Sequence, residues 1–403
     1  MALNSFAANS FFMPRILTMI MAGGRGERLE PLTRYRSKPA VPFGGRYRLI
    51  DPTLANCLHS GVGQVYILTQ YKADSLIRHV TEGYMRYLNR DEFIRFSPAQ
   101  EKTGKEWYRG TADSVRKNID RIREHEPDYV LILAGDHIYS MNLMDMVKRH
   151  EERGTEGVTI AAKAVPVEEA GRFGVMELDG VYRIHGFEEK PESLEKAEKY
   201  TIPGDSKRCA VSMGIYVWNT DLLVKVLEEY GEDTDFGRHV LPKRILKRHI
   251  PMYAYPFDGE WMDVGTMESY HRASMGTLPE ERIFDLEGDF RLFPVSQREE
   301  KVRRGGGFKS SKIDNVNSGV DAWVEDSKLC SVVLSNGDRI YSSRIEESVL
   351  FEDVVVEEGC EIKRAVIDKN VRIWKGMKLS PENPGKGIVK NGILVIPKGS
   401  VIK

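Results

Sequence analysis

Five unbroken apolar runs punctuate the first two-thirds of the chain: Leu17–Ala22 (LTMIMA), Val65–Thr69 (VYILT), Val130–Ala134 (VLILA), Val158–Ala162 and Ile215–Trp218. Runs of this length without polar alternation predict strands buried on both faces, as in parallel α/β sheets. Between them apolar positions recur at helical spacing. Ser114–His125 puts Val115, Ile119 and Ile122 on one stripe, and Leu143–Val147 and Leu222–Leu227 behave likewise. These stripes read as core packing. The alternation predicts the α/β class, a Rossmann-like domain with a mostly parallel sheet.

The pattern changes after about Ser274. Residues 275–312 are irregular and charged, with an RRGGG string at 303–307, and read as a linker. From about 313 the helical period is lost and short β-type pieces with Gly turns take over. Val354, Cys360 and Val366 lie six apart, as do Val356 and Ile362, and Val371 and Met377. A six-residue period predicts a left-handed parallel β-helix with one small or aliphatic residue per flat side pointing inward. An ordinary antiparallel β domain is the alternative. The expected division is a flexible extension at 1–14, an α/β domain at 15–274, a linker at 275–312 and a β-helix at 313–403.

With 403 residues, 41% of them hydrophobic, the chain is long enough for two cored domains. Charged residues make up 30% but balance to a formal net charge of -1. Such a chain has no general pull on nucleic acid or an acidic membrane, so neither is expected as a partner. Anionic ligands must be held by local Lys and Arg clusters. No apolar run approaches the ~20 residues that cross a bilayer, and a soluble protein is expected. Cys57, Cys209, Cys330 and Cys360 are far apart and form no CxxC pair, which reads as buried thiols in a reducing cytoplasm. The opening MALNSFAANSFFMPR lacks the basic start of a secretory signal; it reads as an extension, with Met13 as an alternative start.

Candidate chemistry begins where the first strand ends. Residues 22–39, AGGRGERLEPLTRYRSKP, place a Gly-rich turn at the carboxyl end of a buried strand, where α/β sheets bind ligands. Glycines let backbone N–H groups close around phosphate oxygens, and Arg25, Arg28 and Lys38 add charged donors. The turn is neither the dinucleotide fingerprint nor the P-loop. Asp136, in VLILAGDHIY, follows another buried strand on the same edge; Asp263, in EWMDVGT, is the second carboxylate. Mg²⁺ is commonly held by one or two carboxylates plus phosphate oxygens, and the pair fits that role. His137 reads as structural.

The whole string 22–39 resembles the signature of sugar-phosphate nucleotidyltransferases, GGxGTRLxPLTxxxxKP. It matches at Gly23, Gly24, Gly26, Arg28, Leu29, Pro31, Leu32, Thr33, Lys38 and Pro39. Glu27 departs, standing where the family has Thr or Ser; its carboxylate faces solvent or weakens nucleotide binding. Further strings narrow the likeness: KPAVPFGGRYRLID (38–51), LTQY (68–71), PAQ (98–100), WYRGTAD (107–113), FGVM (173–176), EEKP (188–191), SMGIYVW (212–218) and DFG (235–237). From about Ile16 to Met377 the chain resembles the bacterial ADP-glucose pyrophosphorylase (glucose-1-phosphate adenylyltransferase) family.

That resemblance implies roles. Lys190 corresponds to the lysine that binds the sugar phosphate, and Glu189 to a ligand of a sugar hydroxyl. Tyr108, Gly174 and Ser212 match other glucose 1-phosphate contacts, and Asp235 a further sugar-side position. Gly23, Gly24, Gly26, Arg28 and Lys38 fall on the ATP side, and Gln100 matches the residue that reads the adenine edge. Asp136 and Asp263 would hold Mg²⁺. Gln70 and Trp107 match loop positions linked to activation, although simple packing accounts equally well for Trp107. Tyr35 stands where enteric relatives carry an activator-binding lysine, and the flanking Arg34 and Arg36 could substitute.

The implied partners are ATP, glucose 1-phosphate, a sugar-phosphate or carboxylate effector, and further copies of the chain in a homotetramer. An enzyme making another sugar nucleotide, a non-catalytic regulatory subunit and a bifunctional acyltransferase are the rivals. The last lacks a histidine base, because no histidine follows His271.

Overall fold

The computed structural model describes residues 14–99, 107–154, 156–293 and 307–403. The expected extension therefore lies outside the described residues apart from Pro14.

Each apolar run forms a strand. The principal strands are β1 (Ile16–Ala22), β2 (Gln64–Thr69), β3 (Phe93–Pro98), β4 (Tyr129–Ala134), β5 (Val158–Pro166), β6 (Gly174–Leu178), β7 (Ile184–Glu189), β8 (Asp205–Asn219) and β9 (Met252–Pro256). They share one sheet in the order β7-β6-β8-β4-β1-β2-β3, with β5 on β8 and β9 on β5. The run β4-β1-β2-β3 is parallel, with Ile132 opposite Met19 and Ile20 opposite Ile67. The long β8 enters antiparallel to both β4 and β5.

Both faces are covered, which is why these runs do not alternate. Leu17 and Met19 face one cluster, where Val115, Ile119, Ile122, Leu223 and Val226 come from helices. Ile16 and Ile20 face the other, with Leu54, Leu76, Val80, Met146 and Val147.

One expected helix is two. The stripe over Ser114–His125 is buried as read, but the backbone forms α-helices Thr111–Arg116 and Ile119–His125. Asn118 causes the break. Its buried amide donates to Ser114 O (2.8 Å) and to the Tyr108 hydroxyl (3.1 Å), and accepts from Ser97 Oγ (2.5 Å). A side chain so engaged with nearby backbone competes with the helical ladder.

The second domain is a stack of parallel strands. Lys312, Lys328, Arg344, Glu361 and Lys378 are register partners in series, so each coil is 16 or 17 residues long. The architecture fits a left-handed β-helix. Its first strand, Gly307–Lys309, lies inside the segment expected to be linker.

The six-residue reading needs one correction. Val354, Cys360, Val356, Ile362 and Val371 enter the coil core, and Met377 packs against it, but Val366 does not enter. Strand side chains alternate: Ala365 and Ile367 point inward, so Val366 points out. It joins an outer column with Val333, Val349 and Val395 that packs on Met267, Tyr270 and Leu29 of the catalytic domain.

A buried ion pair reinforces that contact. Arg36 donates to Asp368 at 2.9 and 3.1 Å, and the side chains are only 4% and 1% exposed. Removing one partner of such a pair typically costs about 3–5 kcal/mol, because the other charge stays buried alone. Among the described residues no helix is long and apolar enough to cross a membrane.

Candidate active site

The carboxyl ends of β1, β2 and β4 open onto one cleft of about 260 Å³, lined among others by Gly23, Gly24, Gln70, Tyr108, Thr111 and Asp136. Ligands of open α/β sheets bind at this edge. A wider hollow of about 1000 Å³ lies at the opposite strand ends, around Arg15, Asp128 and Asn219. Its charges largely neutralise one another, as in the pairs Arg15–Asp128 and Arg123–Glu228, and none of the candidate site residues among the described residues lines it.

Gly26 takes a left-handed φ of 68° and begins a short helical turn, Glu27–Leu29. The turn is closed by Thr33 Oγ1, which donates to Gly26 O at 2.9 Å. Glu27 points outward and pairs with Arg25 at 3.5 Å, both side chains exposed. Arg25 also reaches the Tyr71 hydroxyl at 3.1 Å.

Asp263 reaches Asp136 through a two-stranded ribbon. His137–Tyr139 pairs antiparallel with Trp261–Asp263, setting Asp263 opposite His137. Lys38, at the start of its own short helical turn, inserts between the carboxylates. Its Nζ lies 2.6 Å from Asp136 Oδ2 and 3.6 Å from Asp263 Oδ1. Burial alone would push the Lys38 ammonium down, but the two carboxylates outweigh it and hold it above the ordinary lysine range. Burial likewise would raise Asp136; Lys38 and His137 outweigh it and hold the carboxyl below its usual range.

Arg28 closes the group. A Cβ placed on Gly265 would lie 3.1 Å from Arg28 Nη2 and 3.3 Å from Asp263 Oδ2, so both stand against the same bare backbone. His137 Nε2 lies 3.8 Å from Asp136 Oδ1 and 3.7 Å from Asp263 Oδ1, while its Nδ1 faces Trp261 Nε1 at 3.4 Å. Two carboxylates converging on one cation form a hard oxygen donor set. It suits a divalent metal that draws its remaining ligands from phosphate oxygens and water.

The sugar-side candidates assemble around the end of β7. Glu189 pairs across the sheet with Gly174. Burial raises the Glu189 carboxyl above its usual range, against the lowering pull of Lys190 and with help from Asp235. Lys190 sits in the left-handed region at φ 54°, its N–H donating to Phe173 O at 2.9 Å. Its Nζ is 3.6 Å from Glu189 Oε1, and half of the side chain is in solvent. Asp235 caps the helix Phe236–Ile245 by accepting from Arg238 N at 3.0 Å. Ser212 accepts from Gly214 N at 3.2 Å, and its hydroxyl also meets buried Tyr216, which lies near Glu189 and Asp235.

Two links join the halves. Gln70 donates to Gly23 O at 2.5 Å and accepts from Tyr108 N at 2.9 Å, tying the Gly-rich loop to the 107–113 segment. Thr111 Oγ1 donates to Asp235 Oδ2 at 3.2 Å and accepts from Phe236 N at 3.0 Å. Thr111 was not among the expected site residues; its place inside the WYRGTAD string is the signal that could have found it. Tyr108 donates its hydroxyl to Ser97 O at 3.1 Å and lines the cleft beside it.

The remaining expected residues divide. Gln100 lies outside the described residues. Trp107 stacks on Tyr71 at 4.3 Å yet stays 36% exposed. Arg34 and Tyr35 are exposed, but Arg36 is not. Of the two arginines that could substitute for the activator lysine, Arg34 faces solvent, whereas the Arg36 guanidinium is paired with Asp368.

A Gly-rich loop and a carboxylate pair bridged by a lysine meet at one sheet edge, and residues 17–280 match the nucleotidyl transferase family. Residues 301–386 match the GlmU-like C-terminal hexapeptide family. Similarity over nearly the whole length goes further. The chain is 40% identical to glucose-1-phosphate adenylyltransferase 2 of Alkalilimnicola ehrlichii, over 89% of this chain and 87% of the relative. It is 39% identical to the glucose-1-phosphate adenylyltransferase of Rhodopirellula baltica (99% and 93%) and 36% to that of an Anaeromyxobacter species (96% and 98%). The chain belongs to the glucose-1-phosphate adenylyltransferases.

Proposed function

We propose that this chain transfers AMP from ATP to glucose 1-phosphate, releasing pyrophosphate and forming ADP-glucose, the activated-glucose step of glycogen (alpha-glucan) synthesis. The observation that carries the reading is the convergence of Arg28, Lys38, Asp136 and Asp263 beside the cleft lined by Asp136 and Thr111, with Thr111 bonded to Asp235, which lies near Glu189 and its neighbour Lys190.

A phosphate oxygen of glucose 1-phosphate attacks the α-phosphorus of ATP. An oxygen–phosphorus bond forms as the α–β bridge bond breaks, and the electron pair leaves with pyrophosphate. The nucleophile is already ionised at neutral pH, so the chain's task is alignment and charge neutralisation. Lys190 holds the attacking phosphate against its repulsion from the triphosphate, and Glu189 accepts from a sugar hydroxyl. Arg28, Lys38 and the loop amides of Gly23, Gly24 and Gly26 stabilise charge on the departing pyrophosphate. Enzymes of this class generally use a divalent metal. Asp136 and Asp263 would hold it as Mg²⁺, which when bound neutralises phosphate oxygens and polarises the α-phosphorus.

We further propose a cytoplasmic homotetramer regulated by a small sugar phosphate or carboxylate, with Arg34, Gln70 and Trp107 as the residues to probe and with no nucleic-acid or membrane partner. The exposure of Arg34 and the Gln70 bonds to Gly23 and Tyr108 support this reading.

Pyrophosphate release by the purified chain, measured across NTPs and sugar 1-phosphates, tests the central reaction. The highest kcat/KM is expected with ATP and glucose 1-phosphate. A preference for UTP or dTTP would reject the assigned nucleotide, and inactivity with every pair would favour a regulatory subunit. Adding fructose 1,6-bisphosphate, fructose 6-phosphate or pyruvate separately tests regulation; no response to any of them rejects it.

A further inference from the structure

Glycine in a helix is disfavoured by about 1 kcal/mol relative to alanine, so a helical glycine at a binding site calls for a reason. Gly237 lies in the first turn of the helix Phe236–Ile245. Its φ is not in the left-handed region, so its backbone would accept a side chain. Space explains the residue instead. A Cβ on Gly237 would lie 2.9 Å from Glu189 Cδ and closer still to Glu189 Oε2.

A second glycine faces the same oxygen. Gly174, opposite Glu189 in the β6–β7 pair, also has no left-handed φ. A Cβ there would stand 2.8 Å from Glu189 Oε2 and 2.5 Å from Phe187 Cζ. The carboxylate thus lies against two bare backbones from different elements. Its other oxygen is 3.6 Å from Lys190 Nζ, and Asp235 immediately precedes the helix on the Gly237 side.

We propose that Gly237 is a positioning residue for sugar recognition: with Gly174 it forms a slot, free of Cβ atoms, that fixes the Glu189 carboxylate in the direction from which it meets a sugar hydroxyl. The proposal rests on Glu189 contacting the sugar. A Cβ at 237 would overlap the Glu189 carboxylate, the mobile end of its side chain, and so turn it out of its present direction. The hydroxyl then loses its acceptor, while the ATP side, which Gly237 does not touch, is unaffected.

The test is a cycle of G237A, E189A and the double variant in the full-length chain, read by steady-state kinetics and thermal melting. G237A is expected to raise KM for glucose 1-phosphate by about tenfold or more, the scale of losing one hydrogen bond to a charged group. KM for ATP should stay within about twofold. In the E189A background, G237A should add no further loss, because the atoms it displaces are gone. An unchanged KM for glucose 1-phosphate in G237A, or losses that multiply in the double variant, overturns the proposal.

Should G237A fail to fold, melting decides. E189A/G237A should melt near E189A, and a double variant as unstable as G237A overturns the slot. Wild-type inactivity with ATP and glucose 1-phosphate would reject the functional reading separately, leaving the melting pattern to judge the slot.

Discussion

On the proposed phosphate side of the cleft, Lys38 stands between Asp136 and Asp263, and the neighbouring charges hold both Lys38 and Asp136 ionised in spite of burial. On the proposed sugar side, Lys190 keeps half its length in solvent, and its carboxylate neighbour Glu189 is pushed by burial toward the neutral form. The first half is neutralised from within before any ligand arrives. The second has a cation left to offer and a carboxylate that is easily silenced. Chemistry at the α-phosphorus should therefore depend on charges that do not titrate near neutrality, whereas sugar binding should be adjustable.

The sharpest way to break this contrast is to remove charge from the phosphate side. Asp136→Ala leaves Lys38 without its nearer counter-charge, and turnover should fall by about 10²-fold or more, the cost of losing a preorganised electrostatic partner. Near-normal kcat in that variant would remove Asp136 from the chemistry. A smaller and more selective effect is expected across the cleft. Lys190→Ala should raise KM for glucose 1-phosphate by about 10- to 100-fold, with KM for ATP little changed. Equal losses for both substrates would erase the division into halves.

The smallest effect is a pH dependence. The Glu189 carboxyl is raised and the Asp136 carboxyl lowered, so as pH falls Glu189 is protonated first. As pH falls KM for glucose 1-phosphate should rise before kcat declines, and Glu189→Gln should remove the part of that rise that protonation of the substrate phosphate, with its second pKa of about 6, does not cause. An acid limb that appears in kcat first, unaltered in Glu189→Gln, would place the sensitive group elsewhere.

The sequence carried the parts of this picture that depend on local chemistry. Unbroken apolar runs marked β1, β2 and β4 because both faces of that sheet are covered, and the Gly-rich string marked the turn at their edge. Features that depend on distant partners were less legible. The ribbon that carries Asp263 to Asp136 is only three residues on each strand, too short for a periodic signal. The helix break at Asn118 comes from hydroxyls of Ser97 and Tyr108, which no helical pattern reveals.

Val366 fits a six-residue count yet faces the catalytic domain, because alternation within a strand overrides the coil period. Arg36 read as a cation flanking Tyr35 that could serve an effector; Asp368, 332 residues later, turns it into a bolt between domains. Gly237 looked like part of a string, and only the position of Glu189 gives its missing Cβ a purpose.

The claim on which the account turns is that Asp136 and Asp263 act as one unit. The direct measurement is kcat for Asp136→Asn, Asp263→Asn and the double variant under saturating ATP and glucose 1-phosphate. If both carboxylates serve one cation, the double variant should lie within about fivefold of the weaker single variant, because groups acting together are not additive. Losses that multiply in full, or a normal kcat in Asp263→Asn, would contradict it.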